Sequence, residues 1–256
     1  MPSYVSHTIM ARDVYKKLKD DSVDLDYMLT YSLGGDLSKL AKCRYQSHRL
    51  DTREKFFDSL IKYVLDNKLE KDPKVKGVIY GHLCHYAFDD LAHPLIRKLC
   101  KVCEPHKNNH GFLEIYYDIY LVDKKYKLPL SKYDNKVLFK GKMTKDISNM
   151  IDYAYYKTYN CKHLSRYYKF NIFLYKKIRL LYKILGPKLM RILYGIDRFL
   201  DKNKNVDIFN KKHKIKFKDI NKKESSDDFD TIYKKSVEKA VSDIKRMNKV
   251  LNRDND

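Results

Sequence analysis

Two short stretches of this sequence hold the side chains best suited to binding a metal ion. In the first, His85, Asp89 and His93 follow one another at intervals of four residues, and in the second His110 and Glu114 have the same spacing. Residues four apart lie on the same face of a helix, so each set can contact one ion without distorting the backbone. Imidazole nitrogens and carboxylate oxygens suit zinc and similar divalent metals. The pattern therefore predicts a metal site with hydrolytic chemistry.

Further candidate ligands lie upstream, and the ordered set carries a family resemblance. It resembles the ligand set of the zinc-dependent phospholipase C family: His7, Asp36, His48, His85, Asp89, His93, His110 and Glu114. The two helical stretches are similar to the core motif of that family, and Gly35-Asp36 followed by His48 matches its upstream ligands in order. The likeness covers roughly residues 4–122. The single-strand-specific zinc nucleases share the same three-metal plan.

The resemblance implies an all-helical fold that binds two or three zinc ions. It assigns the first ion to Asp36, His48, His85 and Asp89. It assigns the second ion to His93, His110 and Glu114, with a position left open for water or substrate. Asp89 would bridge to a third ion completed by His7 and the N-terminal amine. This third site departs from the family pattern, because the chain has no Trp and Met1-Pro2 precedes His7 by only a few residues.

The chemistry implied is the hydrolysis of phosphoesters. Clustered dications hold phosphate oxygens, lower the pKa of a bound water and stabilise the charge that develops during attack on phosphorus. Asp36 is the candidate base or water-orienting group. His82 and His106, about one turn before His85 and His110, could orient the metal-binding carboxylates. Each could equally be an ordinary core or surface histidine.

The segments that carry these residues are predicted to be helices almost throughout. Apolar residues recur at helical spacing over residues 8–19, 24–33, 52–67, 73–92, 109–122, 144–165 and 231–251. Gly34-Gly35 predicts a turn, and Pro94 predicts the end of a helix or a kink. Only 8 Gly and 6 Pro in 256 residues also favour helices over a turn-rich β fold. We predict an all-α helical bundle of the phospholipase C or zinc nuclease type, with a basic helical C-terminal extension.

The net charge of +21 is unevenly distributed along the chain. Residues 1–123 are almost neutral, so residues 124–256 carry nearly all of the excess. We divide the chain into a metal-binding catalytic domain over residues 1–165 and a basic helical region over residues 166–256, packed on the same domain. Residues 167–200 are predicted to form two basic amphipathic helices hinged at Gly186-Pro187. Residues 201–230 are predicted to be a loop or a weakly extended segment.

The excess positive charge favours a polyanionic partner. Basic amphipathic helices lie on anionic membranes, although such a stripe also packs on a protein core. Nucleic acid is the other candidate partner, and a lysine-rich composition without functional meaning is the alternative explanation.

The five cysteines and the N-terminus bear on the compartment. An odd number of cysteines with no apolar export segment predicts free, reduced thiols, and Cys100-x2-Cys103 alone is a weak metal or redox motif. No apolar stretch is long enough to predict a transmembrane helix. We expect a cytoplasmic protein that can lie at the membrane periphery.

Three functions are open. The first is a phospholipase C-like phosphodiesterase that depends on zinc and acts on a phosphoester substrate. The second is a single-strand nuclease, in which basic residues neutralise phosphates and Tyr side chains stack on bases. The third is a non-catalytic, metal-stabilised protein that binds membrane or nucleic acid.

Overall fold

The computed structural model of the protein describes residues 4–43, 49–102, 110–133, 139–177, 180, 209–212 and 214–252. These residues are mostly helical, which confirms the predicted all-α class. In chain order the helices are α1 (Tyr4–Leu18), α2 (Leu25–Tyr31), α3 (Arg53–Asp66), α4 (Pro73–Val102), α5 (His110–Tyr126), α6 (Lys145–Tyr159), α7 (164–177) and α8 (Phe229–Leu251). Short 3-10 helices span Gly34–Ser38 and Leu130–Lys132, and β1 (Phe217–Lys218) pairs antiparallel with β2 (Glu224–Ser225).

Helix α4 lies at the centre of the core. It packs against α1, α2, α5 and α8, and apolar side chains on most of its circumference are buried. The close contact with α2 requires a glycine, because a Cβ at Gly81 would lie 2.6 Å from the carbonyl carbon of Tyr31. A helix buried on nearly all sides is apolar all round. This explains why the polar residues His85 and Asp89 on α4 stand out as functional candidates.

Helix α4 continues through Pro94, so the predicted end near residue 92 is wrong. Proline has no backbone N–H, and within a helix the missing hydrogen bond and the ring clash cost about 3 kcal/mol. Beyond the proline, Leu95, Ile96 and Leu99 are all buried. Burial of each such side chain contributes about 1.5–3 kcal/mol, which outweighs the cost of the proline.

The described part of the predicted loop 201–230 includes the β1–β2 hairpin. The buried Asn210 side chain holds its base: Nδ2 donates to the carbonyl oxygens of Ile215 and Asp227, both at 3.1 Å. Asp219 Oδ1 accepts hydrogen bonds from the backbone N–H groups of Asn221 and Lys223, each at 2.9 Å, and so shapes the turn. The hairpin packs against α4, with the Phe217 side chain buried.

Helix α8 begins at Phe229, where the Asp228 side chain caps it by accepting a hydrogen bond from the Thr231 N–H at 2.8 Å. It packs on α4 and α1. Of the predicted basic helices over 167–200, the structure describes the first up to residue 177 as part of α7, together with residue 180. Gly186-Pro187 lies outside the described residues.

The prediction that the cysteines are free thiols is wrong for two of them. Cys43 and Cys161 form a disulfide across 118 residues of sequence, linking the chain after the 3-10 helix at Gly34–Ser38 to the turn between α6 and α7. The partners of a disulfide cannot be deduced from the sequence alone. Cys84 is a free, buried thiol, and Cys103 lies outside the described residues. Among the helices of the described residues, none has the length and apolar character needed to cross a membrane.

Candidate metal centre

The carboxylate of Asp89 lies at the centre of the candidate site. Its Oδ1 atom is 3.2 Å from Nε2 of His7 on α1. Its Oδ2 atom is 3.4 Å from Nε2 of His85 and 3.7 Å from Nδ1 of His93, both on α4. One carboxylate therefore faces three imidazoles that come from two helices.

Glu114 on α5 forms a second centre beside the first. Its Oε1 atom is 2.8 Å from Nε2 of His110 and 3.4 Å from Nε2 of His93. The potential ligand atoms fall into two groups, each with all its atoms within 4.8 Å of one another. We call them the inner group (His7, His85 and Asp89) and the outer group (His93, His110 and Glu114). His93 links the two, because its ring faces Asp89 on one side and Glu114 on the other.

Asp118, a residue that the sequence did not single out, holds α1 against this site. Its Oδ1 atom accepts hydrogen bonds from the Ser6 backbone N–H at 2.8 Å and from the Ser6 hydroxyl at 2.6 Å. Because Ser6 precedes His7, this buried contact fixes α1 where His7 reaches Asp89. The available signal was the spacing of Asp118 from Glu114, again four residues on α5.

The 3-10 helix Gly34–Ser38 covers His85. Gly34 has φ +45°, and a Cβ at this position would lie within 2.6 Å of the His85 Cβ atom, so only glycine fits. Helix α7 holds this segment: the Tyr168 hydroxyl donates to the Gly34 carbonyl at 3.0 Å, and Asn171 Nδ2 donates to the Leu37 carbonyl at 2.8 Å. The segment carries Asp36 at its middle.

The two ring nitrogens of His82 contact Val78 and Tyr168, and neither contacts the Asp89 or Glu114 carboxylate. Its Nδ1 atom is 2.9 Å from the Val78 carbonyl oxygen, and its Nε2 atom is 3.1 Å from the Tyr168 hydroxyl. Complete burial lowers the pKa of His82 to about 4, so the ring is neutral at pH 7. Of the two sequence-based interpretations, the structure favours the core histidine.

Asp36 is buried, and its Oδ1 atom is 3.5 Å from Nζ of Lys39. It lies near enough to His93 to contribute to the raised pKa of that ring. Among the described residues, however, Asp36 belongs to neither group of ligand atoms. The structure groups His85 and Asp89 with His7, whereas the resemblance assigned them to an ion shared with Asp36 and His48. His48 and His106 lie outside the described residues.

Electrostatics keep the two carboxylates ionised despite their burial. Burial alone would raise the pKa of Asp89, but His93, His85 and the hydrogen bond from His7 hold it well below its usual range. Burial opposes ionisation of Glu114 in the same way, and His110 and His93 lower its pKa. Burial would lower the pKa of His93, but Asp89 and Glu114 raise it to about 9. The carboxylates are thus in the deprotonated form that a cation needs.

Two buried polar atoms test whether these residues fit a metal ion. Nδ1 of His7 and Oε2 of Glu114 are buried, and neither has a hydrogen-bond partner among the described residues. Buried polar atoms are nearly always satisfied, so such atoms need an explanation, for example an ion or an ordered water. Imidazole and carboxylate are the side chains that hold catalytic zinc. The residues therefore fit a divalent ion such as zinc.

An open cleft of about 810 Å³ adjoins Asp89 and His93. The second half of α4 forms one wall and the β1–β2 hairpin forms the other. Six basic side chains line the cleft: Arg53, Arg97, Lys98, Lys101, Lys216 and Lys218. Two of the candidate ligands, Asp89 and His93, thus line a basic cleft.

Comparison with protein-family models, with curated proteins and with solved structures found no match. The family resemblance therefore rests on the order and spacing of the candidate ligands.

Proposed function

We propose that the protein is a zinc-dependent phosphodiesterase of the phospholipase C type. The observation that carries this proposal is the convergence of the inner and outer groups beside a basic cleft. Six potential ligands from α1, α4 and α5 meet there, although up to 107 residues of sequence separate them. The basic side chains of the cleft would attract the negatively charged phosphoester.

The inner and outer groups would hold two zinc ions, and His93 lies at the point where the groups meet. Zinc in such a site supplies Lewis-acid polarisation of a phosphoryl oxygen and a water of lowered pKa. His110 leaves the outer group accessible to substrate, because its side chain is 40% exposed. Asp36, buried near His93, is the side chain that we propose takes up the proton of the attacking water. Cationic side chains of the cleft would orient the phosphoester through its oxygens.

The proposal is tested by comparing His93→Asn with His163→Asn. His93 belongs to the outer group, whereas His163 is exposed in the turn before α7 and has φ +57°, which Asn tolerates well. We expect wild-type protein reloaded with zinc to hold at least one zinc per chain and to hydrolyse bis(p-nitrophenyl) phosphate. His93→Asn should lose zinc and at least about a hundredfold of this activity. His163→Asn should match the wild type in both.

Two results would contradict the proposal. One is less than one zinc per chain in elemental analysis, which would also favour a protein without metal-dependent catalysis. The other is activity that survives unchanged in His93→Asn. Zinc content separates a failure of metal binding from a failure of catalysis.

We propose an anionic membrane surface as the partner of α7. Phe170 and Phe173 are about half exposed, and the exposed Lys169, Lys176 and Lys177 lie on the same helix. Exposed aromatic rings among lysines are the combination that inserts at an anionic lipid interface. The buried face of the same helix holds the Gly34–Ser38 segment over His85, so docking through α7 would bring the candidate site close to lipid.

Sedimentation with vesicles tests this partner. Phe170→Ser with Phe173→Ser should weaken binding to vesicles of phosphatidylserine and phosphatidylcholine at least about tenfold, because each ring loses its buried apolar area. Tyr156→Ser removes an aromatic ring that is 44% exposed on α6 and serves as the control. Equal binding of all three proteins, or no preference for vesicles with anionic lipid, would reject α7 as the docking helix.

The basic cleft also favours the second candidate function, a single-strand nuclease. Zinc-loaded protein that cleaves single-stranded DNA but neither phospholipid nor bis(p-nitrophenyl) phosphate would decide for the nuclease.

The Cys43–Cys161 disulfide bears on the compartment. Disulfides persist in oxidising compartments and are rare in the cytosol, so the disulfide argues against the cytoplasmic location expected from the sequence.

A further inference from the structure

Acidic side chains that share the cleft pair with two of its six basic side chains, Arg53 and Lys216. Asp90 binds Arg53, with its Oδ1 and Oδ2 atoms 2.6 and 2.5 Å from Nη1. Glu224 pairs with Lys216 at 3.3 Å. Asp219 accepts hydrogen bonds from two backbone N–H groups of the hairpin turn. Each of these acids is already engaged within the protein.

Four cations of the cleft have no such partner. Arg97, Lys98, Lys101 and Lys218 form no ion pair with any described residue, although all four line the cleft. Arg97 and Lys101 are exposed. Long, solvated cations that converge on one concave surface concentrate positive potential there. These four cations therefore offer positive charge that no ion pair within the described part of the chain neutralises.

The cations are arranged as a row that begins at the candidate metal centre. His93, Arg97 and Lys101 succeed one another at intervals of four residues on α4, so they lie on one face of the helix. Each step advances about 6 Å along the helix axis. Lys218 faces this row from the hairpin. A scissile phosphate at the outer group would therefore leave a second phosphate of the same molecule within reach of Arg97 and Lys101.

We infer that the cleft binds a second phosphate of the substrate, so that the substrate class is a phosphodiester that carries a further phosphate. This inference rests on the proposed function, because it names the substrate of that site. Arginine binds phosphate through two parallel hydrogen bonds, and lysine adds a point charge. A head group with a positive charge, such as choline, would be repelled by the same row. Two sources supply this chemistry: a nucleotide with a second phosphate and a phosphorylated inositol head group.

Calorimetric titration of the zinc-loaded full chain tests the inference with two matched pairs of probes. The nucleotide pair is thymidine 3′,5′-bisphosphate and thymidine 5′-phosphate. The head-group pair is inositol 1,4-bisphosphate and inositol 1-phosphate. In at least one pair the bisphosphate should bind at least about tenfold more tightly, and this preference should shrink as salt is raised. The pair with the larger preference identifies the source.

A double charge reversal locates the second phosphate. Arg97→Glu with Lys101→Glu should reduce the preference for the bisphosphate at least about tenfold. Lys245→Glu with Lys249→Glu is the matched control, because these lysines are also exposed and four residues apart, but lie on α8 away from the cleft. The control changes the net charge equally and should keep the preference. Thermal unfolding should show that both variants are folded.

The outcomes separate this inference from the proposed function. Equal affinity for the bisphosphate and the monophosphate in both pairs would overturn the inference, even if bis(p-nitrophenyl) phosphate is hydrolysed. A preference that survives in Arg97→Glu with Lys101→Glu would do the same. Preference without any hydrolysis would instead overturn the proposed function and leave a phosphate-binding cleft. The wild-type comparison needs no variant, so the test holds even if the double reversal does not fold.

Discussion

The inner and outer groups share the same types of side chain but differ in their surroundings. In the inner group the side chains of His7, His85 and Asp89 are 4%, 0% and 8% exposed. In the outer group Glu114 is buried, but the His93 and His110 side chains are 17% and 40% exposed. Gly34 closes over His85, whereas His93 lines the basic cleft.

This contrast indicates a division of work between the groups. Structural zinc sites are closed by protein ligands, whereas catalytic sites keep a position open for water or substrate. By this criterion the inner group would mainly tie α1 to α4, and the outer group would meet the phosphoester. Substitutions that change stability and activity separately test this difference between the inner and outer groups.

The largest effect is expected for Asp89→Ala, because the Asp89 carboxylate faces His7 and His85 of the inner group and His93 of the outer group. Its removal leaves three imidazoles without their shared anion, and we expect a loss of about 3–5 kcal/mol in the free energy of unfolding. Zinc content should fall by more than one ion per chain. Elemental analysis and denaturant unfolding measure both quantities. A variant that kept its full zinc content would show that Asp89 is not shared.

The difference between the inner and outer groups is tested by His85→Ala and His110→Ala. His85 is fully buried, so its loss should lower the free energy of unfolding by about 2–3 kcal/mol. His110 is 40% exposed, so its loss should cost about 0.5 kcal/mol or less in protein without zinc. Hydrolysis of bis(p-nitrophenyl) phosphate should nevertheless fall strongly in His110→Ala. Chelator-treated protein is compared in both cases, so that the stability of the fold is read separately from the binding of zinc.

Either of two outcomes would remove the proposed division of work. His110→Ala could prove as destabilising as His85→Ala in the absence of zinc. Alternatively, His110→Ala could retain full activity while His85→Ala loses it, which would place the reaction at the inner group.

Gly34→Ala tests whether closure of the inner group matters. A Cβ at Gly34 would lie within 2.6 Å of the His85 Cβ atom, and φ +45° is unfavourable for alanine, so we expect a loss of about 2 kcal/mol and a lower zinc content. The control is Gly141→Ala, where a Cβ would lie 3.0 Å from the Thr30 side chain. This control should lose some stability but no zinc. Equal zinc content in both variants would show that the inner group tolerates opening.

Regular spacing made the helices and the paired ligands predictable from the sequence. His85, Asp89 and His93 occupy one face of α4, and His110 and Glu114 occupy one face of α5, because residues four apart lie together on any α-helix. The approach of α1 to these helices has no such local signature. His7 entered the predicted set through the family resemblance, and Asp118, which anchors its neighbour Ser6, was missed.

Features that depend on tertiary packing were predicted poorly, because they leave no local signature in the sequence. Helix α4 passes through Pro94 because burial of the apolar residues beyond it outweighs the free-energy cost of a proline within a helix. The Cys43–Cys161 disulfide joins residues far apart in sequence. Arg97 and Lys101 were not singled out in the sequence, because only the fold places the β1–β2 hairpin opposite them as the other wall of the cleft.

The smallest effect is expected for Tyr168→Phe, which loosens the cover of the inner group without changing a candidate ligand. The Tyr168 hydroxyl donates to the Gly34 carbonyl, and Gly34 packs against His85. The same hydroxyl contacts Nε2 of His82 and the Tyr155 hydroxyl, so its removal should cost about 1–2 kcal/mol in the free energy of unfolding. Substitution of residues that support metal ligands without touching the metal typically lowers metal affinity by about tenfold or more, so zinc affinity should fall as well.

Tyr233→Phe is the matched control, because its hydroxyl donates to Asp13 Oδ2 at 2.7 Å and its ring is likewise buried. Competition with a chromogenic chelator should show weaker zinc binding in Tyr168→Phe alone. If both variants lose stability but keep the same zinc affinity, the Gly34 segment stabilises the fold without positioning His85.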